Sequence, residues 1–288
     1  MILYKNATDL AAYLQKQKSM GQAVSFVPTM GALHEGHLSL VRAAKKQSGI
    51  VVCSIFVNPT QFNDPKDFQK YPVTIEKDIF FLEKNAVDAL FLPSVEGLYP
   101  NGLKDMETYE LGPLENIWEG KYRPGHFQGV CQVMRRLLDI VQPDHLYMGQ
   151  KDFQQCMVVK KLLQIIQSPT LLHDCPTLRE SDGLAMSSRN MRLTDSERKK
   201  ATAIYQALSY LKTVVREGNF PEILEKAASI LKSNDFRIDY ITLVDAETLQ
   251  PATVWVKGID LVCLIAAYQH EVRLIDNMMM SPGRDDGK

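Results

Sequence analysis

The chain has 288 residues, 45% of them apolar, and sets 33 Lys and Arg against 34 Asp and Glu for a net charge of −1. That length accommodates two domains with ordinary buried cores, and the balanced charge argues against a broad nucleic-acid or membrane footprint. The first residues lack the pattern of a secretory leader and no apolar run approaches a membrane span, so a cytoplasmic protein is expected.

In chain order, a helix is expected over residues 8–18, beginning near Thr8 or Asp9, followed by a strand-like run at 23–27. Pro28 and Gly31 end that run, and Leu38, Val41, Arg42, Ala44 and Lys45 open an amphipathic helix. His34 and His37 therefore stand three apart around a helix start. Unpaired backbone N–H groups and the positive end of the helix dipole favour an anion there, imidazole N–H groups add donors, and Gly36 lets a nucleotide lie close to the backbone. The stretch 28–40 reads as a phosphate site. A zinc site of the His-Glu-x-x-His kind needs a spacing that His34-Glu35-Gly36-His37 does not supply; two unrelated surface or capping histidines are the plain alternative.

Residues 50–57 form a β-branched run suited to a strand buried on both faces of a parallel sheet. It ends in Asn58-Pro59-Thr60-Gln61-Phe62, at the edge where ligands bind in doubly wound sheets, so Gln61 reads either as a ligand-facing amide or as a solvated loop residue. A polar loop with Asp64, Pro65 and Lys66 leads to a helix near 74–85 and a strand at 89–92. The basic, glycine-bracketed loop 120–127, of a kind that is often mobile, precedes a helix with Val130, Val133, Met134, Leu137, Leu138 and Val141 on its apolar side. A strand at 145–148 ends in Gly149-Gln150-Lys151-Asp152 before a helix at 153–167. Lys151 and Asp152 read as a surface charge pair or as ligand groups on the same sheet edge. A strand at 170–175 closes the alternation, and Pro176 marks a domain exit.

Residues 179–190 make a polar loop whose hydroxyls and guanidinium groups suit a triphosphate, or equally a linker rich in turn formers. Thr194 and Glu197 have capping-box spacing and open a helix with Ile204, Leu208, Leu211 and Val215 as core. A helix at 220–233 and strands at 238–244, 253–256, 261–267 and 272–275 come next, and 281–288 reads as disordered. The fold expectation is α/β: a Rossmann-like doubly wound parallel sheet over residues 1–176, with a smaller C-terminal α+β domain over 177–288 packed on its nucleotide-binding edge. Cys53, Cys131, Cys156, Cys175 and Cys263 are widely spaced and odd in number, and they read as reduced, mainly structural thiols.

Five blocks, in order and across most of the chain, resemble the pantoate–β-alanine ligase family. They are Pro28-Thr29-Met30-Gly31-Ala32-Leu33-His34-Glu35-Gly36-His37, Phe56-Val57-Asn58-Pro59-Thr60-Gln61-Phe62, Arg123-Pro124-Gly125-His126-Phe127, Gly149-Gln150-Lys151-Asp152-Phe153-Gln154-Gln155 and Met186-Ser187-Ser188-Arg189-Asn190. The His-x-Gly-His element alone marks only the wider nucleotidyltransferase superfamily, which includes class I aminoacyl-tRNA synthetases. The resemblance implies a C-terminal lid domain, a homodimer, and a two-step reaction with Mg2+: ATP and (R)-pantoate give pantoyl adenylate and pyrophosphate, then β-alanine displaces AMP to give pantothenate. A free carboxylate is a poor acyl donor, and adenylation supplies the leaving group.

By the same resemblance, Met30, Gly31 and the loop through His34 and His37 surround ATP, with His37 as the acid that stabilises departing charge. Gly149 and Asp152 match ribose positions, Gln150 lies in the same ATP-binding block, and Lys151, Ser187, Ser188 and Arg189 match phosphate positions. Met186 and the backbone at Leu178 match the adenine side. Gln61 and Gln155 match pantoate positions, Asp78 the magnesium environment, and Arg123 and Tyr71 the flanks of the pocket. His34, His37, Lys151 and Arg189 are the expected catalytic residues; pantoate, β-alanine and ATP are the expected partners, with no nucleic acid and no membrane. Two alternatives stand beside this reading: a nucleotidyltransferase that stops at an adenylylated product, and a nucleotide-binding regulatory module without turnover.

Overall fold

The structure, a computed structural model, describes residues 1–47, 49–104, 106–216 and 219–280. The expectation for 281–288 lies outside the described residues. The chain divides into two compact units, Met1–Gln150 with Gln154–Cys175, and Lys151–Phe153 with Pro176–Lys288.

In the first unit, strands β1 (Ile2–Tyr4), β2 (Val24–Thr29), β3 (Ile50–Ile55), β4 (Ala89–Phe91), β5 (His145–Gly149) and β6 (Leu171–Cys175) form one parallel sheet in the order β1-β4-β3-β2-β5-β6. Parallel neighbours need crossovers, and helices supply them: α1 (Ala7–Ser19), α2 (Glu35–Lys45), α3 (Pro65–Gln69), α4 (Ile75–Lys84), α5 (Val95–Leu98), α6 (Glu119–Tyr122), α7 (His126–Val141) and α8 (Phe153–Ile165). Apolar side chains leave both faces of the strands, so both faces are covered. Phe26, Val52, Phe91 and Leu146 pack with Leu10 and Leu14 of α1, Val130, Met134 and Leu137 of α7, and Val159 and Leu162 of α8. Val27, Val51, Cys53 and Leu90 pack with Leu40, Val41 and Ala44 of α2 and Leu82 of α4.

From β2 the chain steps outward through β3 to β4, then returns to the other side of β2 for β5 and β6. The strand order therefore reverses between β2 and β5, and the loops leaving their carboxyl ends diverge there. Open α/β sheets bind ligands at this switch point.

The second unit contains α9 (Asp195–Ala201), α10 (Ala203–Val214), α11 (Phe220–Lys232) and an antiparallel sheet of β7 (Phe236–Asp245), β8 (Leu261–Gln269) and β9 (Val272–Met279). Ile204, Leu208, Leu211 and Val215 bury against Ile223, Ala227, Leu231, Leu243, Cys263 and Ile265. Thr194 caps α9 in a box with Glu197. The single helix expected from that cap is two, divided at Thr202, whose Oγ1 donates back to the Lys199 carbonyl at 2.9 Å.

The strand expected at 253–256 does not form. Asp245 Oδ1 accepts the Glu247 and Thr248 N–H groups in a turn, and Ala252 N–H still reaches the Leu243 carbonyl at 2.9 Å. The chain then leaves the sheet with Val254 62% exposed. β-Branched composition without a neighbouring strand makes no ladder. Leu162 packs α8 against the sheet with no exposed surface. Leu162→Ala should lower unfolding free energy by roughly 2–5 kcal/mol, read as a lower urea midpoint at unchanged slope.

Candidate active site

The site begins where β2 runs out. Gly31 has φ 82° and Ala32 φ 49°, so the chain turns through two left-handed residues, the second without glycine's freedom. The Asp78 carboxylate of α4 holds this turn. Ala32 N–H donates to Asp78 Oδ2 at 2.9 Å and Leu33 N–H to Oδ1 at 2.8 Å, while Thr74 Oγ1 donates to Oδ1 at 3.0 Å. Asp78 has no exposed surface. Consecutive amides in such a turn make an anion-binding concavity, and here the protein fills it with its own carboxylate. A Cβ on Gly31 would lie 3.1 Å from Asp78 Oδ2 and 3.0 Å from the Ile55 side chain, which adds a steric reason for glycine.

α2 starts next, with His34 as its N-cap. His34 Nδ1 accepts the Gly36 N–H at 3.2 Å and His37 Nδ1 accepts the His34 N–H at 3.4 Å, a capping box built from two imidazoles. Their ring centroids lie 4.1 Å apart. Because each Nδ1 accepts from a backbone donor, the proton of each neutral ring is assigned to Nε2. Two ring N–H donors are thus specified at a helix N-terminus, beside the backbone amides of its first turn.

The carboxyl end of β3, beside β2 in the sheet, carries Gln61. Its Nε2 donates to Met30 Sδ at 3.2 Å, and its Oε1 accepts from Asn58 Nδ2 at 3.3 Å. Asn58 is buried and also donates to the Gly129 carbonyl, while Tyr99 OH donates to its Oδ1 at 2.8 Å. The Gln61 carbonyl accepts from His126 Nδ1 at 2.7 Å and from Arg123 Nη2 at 3.3 Å. Since a carbonyl only accepts, His126 carries its proton on Nδ1, and Arg123 Nη1 lies 3.1 Å from Nε2. A Cβ on Gly129 would come within 2.2 Å of the Thr60 carbonyl, so α7 seats directly on this turn.

Two flanking features differ from a freely exposed loop. Residues 119–122 are the short helix α6, with Gly120 so close to the Glu115 carbonyl that a Cβ would lie 1.9 Å away. Gln154, which the sequence marks only as part of a block, donates to the Leu114 and Ile117 carbonyls, each at 2.9 Å, and accepts from Glu119 N–H at 3.0 Å. Trp118 between them has φ 43°. The Gln154 amide fixes the backbone on both sides of this left-handed residue, while neighbouring Gln155 is half-buried on the first turn of α8.

At the carboxyl end of β5, on the other side of β2, Gly149 and Gln150 complete the expected residues of the first unit. The second unit carries the rest. Lys151 and Asp152 are half-buried, and Asn277 Nδ2 donates to the Lys151 carbonyl at 2.9 Å. Met186 N–H bonds the Leu178 carbonyl at 3.0 Å, an Arg179–Ala185 bridge closes the intervening loop, and Ser187 caps the short turn of Ser188 and Arg189, its Oγ accepting Arg189 N–H at 3.3 Å. Backbone hydrogen bonds close this loop. Sequence reasoning assigned Asp276, Asn277, His126 and Gln154 no individual role, and Arg179 figured there only as one guanidinium of the 179–190 loop; the signal for His126 and Gln154 was their presence inside recognised blocks.

Thiol chemistry has no support here: burial pushes Cys53 and Cys131 up to about 12 and Cys175 up to about 11, which keeps them protonated at neutral pH. Among the described residues, no three His, Cys, Asp and Glu side chains gather as a metal shell. Asp78, expected near magnesium, directs its two oxygens at the turn amides and Thr74, a donor set that fits a loop anchor better than a cation ligand.

A parallel sheet wound on both faces, with a histidine-capped helix at its switch point, is the arrangement in which doubly wound α/β folds bind ligands. The profile of the pantoate–β-alanine ligase family matches residues 2–279. Pantothenate synthetase of Bacteroides thetaiotaomicron is 41% identical over 271 residues, 94% of this chain and 95% of that protein. The structure of pantothenate synthetase from Thermus thermophilus is 42% identical and aligns with a TM-score of 0.90, covering 98% of this chain and 100% of that one. Pantoate–β-alanine ligase from Francisella tularensis, solved with β-γ ATP and β-alanine, is 37% identical with a TM-score of 0.79 over 98% and 99% of the two chains. The chain belongs to the pantoate–β-alanine ligase family. It is a ligase that forms the amide bond of pantothenate from pantoate and β-alanine at the expense of ATP. Among the described residues no helix is long and apolar enough to cross a membrane.

Removing the Asp78 carboxylate takes its two acceptor oxygens from the Ala32 and Leu33 N–H groups. Asp78→Ala should cost about 1–3 kcal/mol for each acceptor lost and weaken ATP binding along with stability, measured by urea denaturation and calorimetry.

Proposed function

We propose that the histidine-capped end of α2 receives the ATP phosphates and that adenylation of pantoate takes place against it. The observation that carries this reading is the imidazole capping box, which assigns both ring protons to Nε2 and so supplies two fixed donors where the helix dipole is positive. In the first half-reaction a pantoate carboxylate oxygen attacks the α-phosphorus. The bond to the bridging oxygen breaks, and the electron pair leaves with pyrophosphate.

His37 and His34 stabilise charge as it builds on the phosphate oxygens. Lys151, Arg189, Ser187 and Ser188, by family resemblance, hold the departing pyrophosphate; Gly149 and Asp152 serve the ribose side, Gln150 lies between them in the ATP-binding block, and Met186 with the Leu178 backbone serves the adenine side. A Cβ on Gly149 would meet no atom within 4 Å, so packing within the protein does not explain a glycine there, whereas a closely approaching nucleotide does. Gln61, with Met30 against its amide, and Gln155 are assigned to pantoate, whose hydroxyls both donate and accept. In the second half-reaction the β-alanine amine attacks the acyl carbon, AMP leaves with the mixed-anhydride electron pair, and the amine loses a proton.

The Mg2+ implied by the resemblance would be held by the nucleotide's own phosphates, with Asp78 committed to the turn amides, and would supply neutralisation of phosphate charge. Residues 1–176 are read as the nucleotide- and pantoate-binding domain and residues 177–288 as a lid domain, and the protein as a cytoplasmic homodimer, in line with the family resemblance.

Pantoate-dependent ATP–pyrophosphate exchange without β-alanine tests the first half-reaction, and adding β-alanine to the same sample tests the second. The expected result is exchange, then AMP and pantothenate. Exchange with no amide product would support an adenylyltransferase, and ATP binding with no exchange or turnover a regulatory module. His37→Ala and Lys151→Ala should each raise the adenylation barrier by roughly 2.7–4 kcal/mol, visible as reduced kcat for exchange. Gln61→Ala should raise the KM for pantoate far more than that for ATP.

A further inference from the structure

Lys151 and the 186–189 segment are separated in sequence, and one hydrogen-bond network of the second unit reaches Lys151 and the 178–186 loop whose backbone pairing leads into that segment. Its centre is Arg179. Nη1 donates to Asp276 Oδ2 at 2.6 Å and to the Gly183 carbonyl at 3.1 Å, while Nη2 donates to Asp276 Oδ1 and to the Asn277 carbonyl, each at 3.1 Å. The guanidinium lies over the Tyr205 ring at 4.9 Å. Gly183 has φ +89°, and a Cβ there would stand 2.0 Å from the same ring. The loop between Leu178 and Met186 is therefore seated on α10 from one side and tied to β9 from the other.

Asn277 extends the tie to Lys151. Its side-chain amide donates to the Lys151 carbonyl at 2.9 Å, and its backbone N–H donates to Asp276 Oδ1 at 2.8 Å. Asp276 is 4% exposed and Asn277 5%. Two consecutive residues of one strand thus hold the backbone of Lys151 on one hand and the Arg179 fork on the other. A lysine ammonium on a four-carbon stem is a poorly directed point charge, and fixing its backbone shrinks the volume it searches.

We propose that Arg179, Asp276 and Asn277 are positioning residues that fix the Lys151 turn and the 186–189 segment in one relation, so that both meet pyrophosphate as a single ligand set. This rests on the phosphate roles proposed for Lys151 and for Ser187, Ser188 and Arg189. The alternative is a network that only stabilises the second unit. The two differ in whether Asn277 acts through Lys151.

The test is a double-mutant cycle in pantoate-dependent ATP–pyrophosphate exchange, with wild type, Asn277→Ala, Lys151→Ala and the double variant, each also melted thermally. Asn277→Ala should lower kcat about three- to tenfold, the worth of one hydrogen bond, with the KM for pantoate unchanged. On the Lys151→Ala background the same substitution should have no further effect. Arg179→Lys, which cannot span Asp276 and two carbonyls, should lower kcat in the same way. Full multiplicative loss in the double variant, or wild-type kcat in Asn277→Ala and Arg179→Lys at reduced melting temperature, would overturn the proposal in favour of a stabilising network. Absence of exchange in the wild type would overturn the phosphate assignment and this inference with it, whereas normal wild-type exchange with an unaffected Asn277→Ala overturns the inference alone.

Discussion

The Asp78 carboxylate sits in the amides of Ala32 and Leu33, and the path of the chain from β2 into α2 depends on that contact. A charge without exposed surface is costly unless it is hydrogen-bonded, and three donors meet this one. In exchange, two left-handed residues become a defined turn instead of a set of alternatives. The turn aims α2, and the direction of α2 decides where its first amides and its two imidazoles present their protons. Donors already oriented before charge develops need little reorganisation during the reaction, which is the main source of electrostatic catalysis.

A similar arrangement surrounds Gln61. Asn58, His126 and Arg123 act mostly on backbone or amide groups, so the turn after β3 is held from several sides by hydrogen bonds in addition to the packing of Phe62 on Phe68 and Tyr71. The adjacent glutamines of α8 divide two tasks. Gln154 is committed to the loop around Trp118, which leaves Gln155 as the member suited to a ligand.

Much of this architecture could be read from the chain, and the exceptions share a cause. Runs such as 23–27 and 50–57 declare themselves because burial on both faces demands uninterrupted apolar residues. Ile2–Tyr4 also forms a strand, though at the sheet edge and only three residues long, too short to register as a pattern. Thr253–Val254–Trp255–Val256 has the composition of a strand and no neighbour to pair with, which composition does not encode. The histidine motif was legible because its spacing is local. Asp78 was legible as a charge, yet its partners are amides some 45 residues earlier, so its task of holding a loop was not. Arg179 and Asp276, 97 residues apart, show the same limit more strongly.

The imidazole capping box also explains the length of the motif. An N-cap and the third residue of its helix are three positions apart by helix geometry, and only that offset lets each side chain reach the other's backbone. One residue more between His34 and His37 would carry the second ring about a hundred degrees around the axis and away from the cap. The interval between the two histidines is thus a property of helix initiation, and Glu35 at the second position takes no part in the box, its carboxylate accepting instead from Arg42 at 2.9 Å.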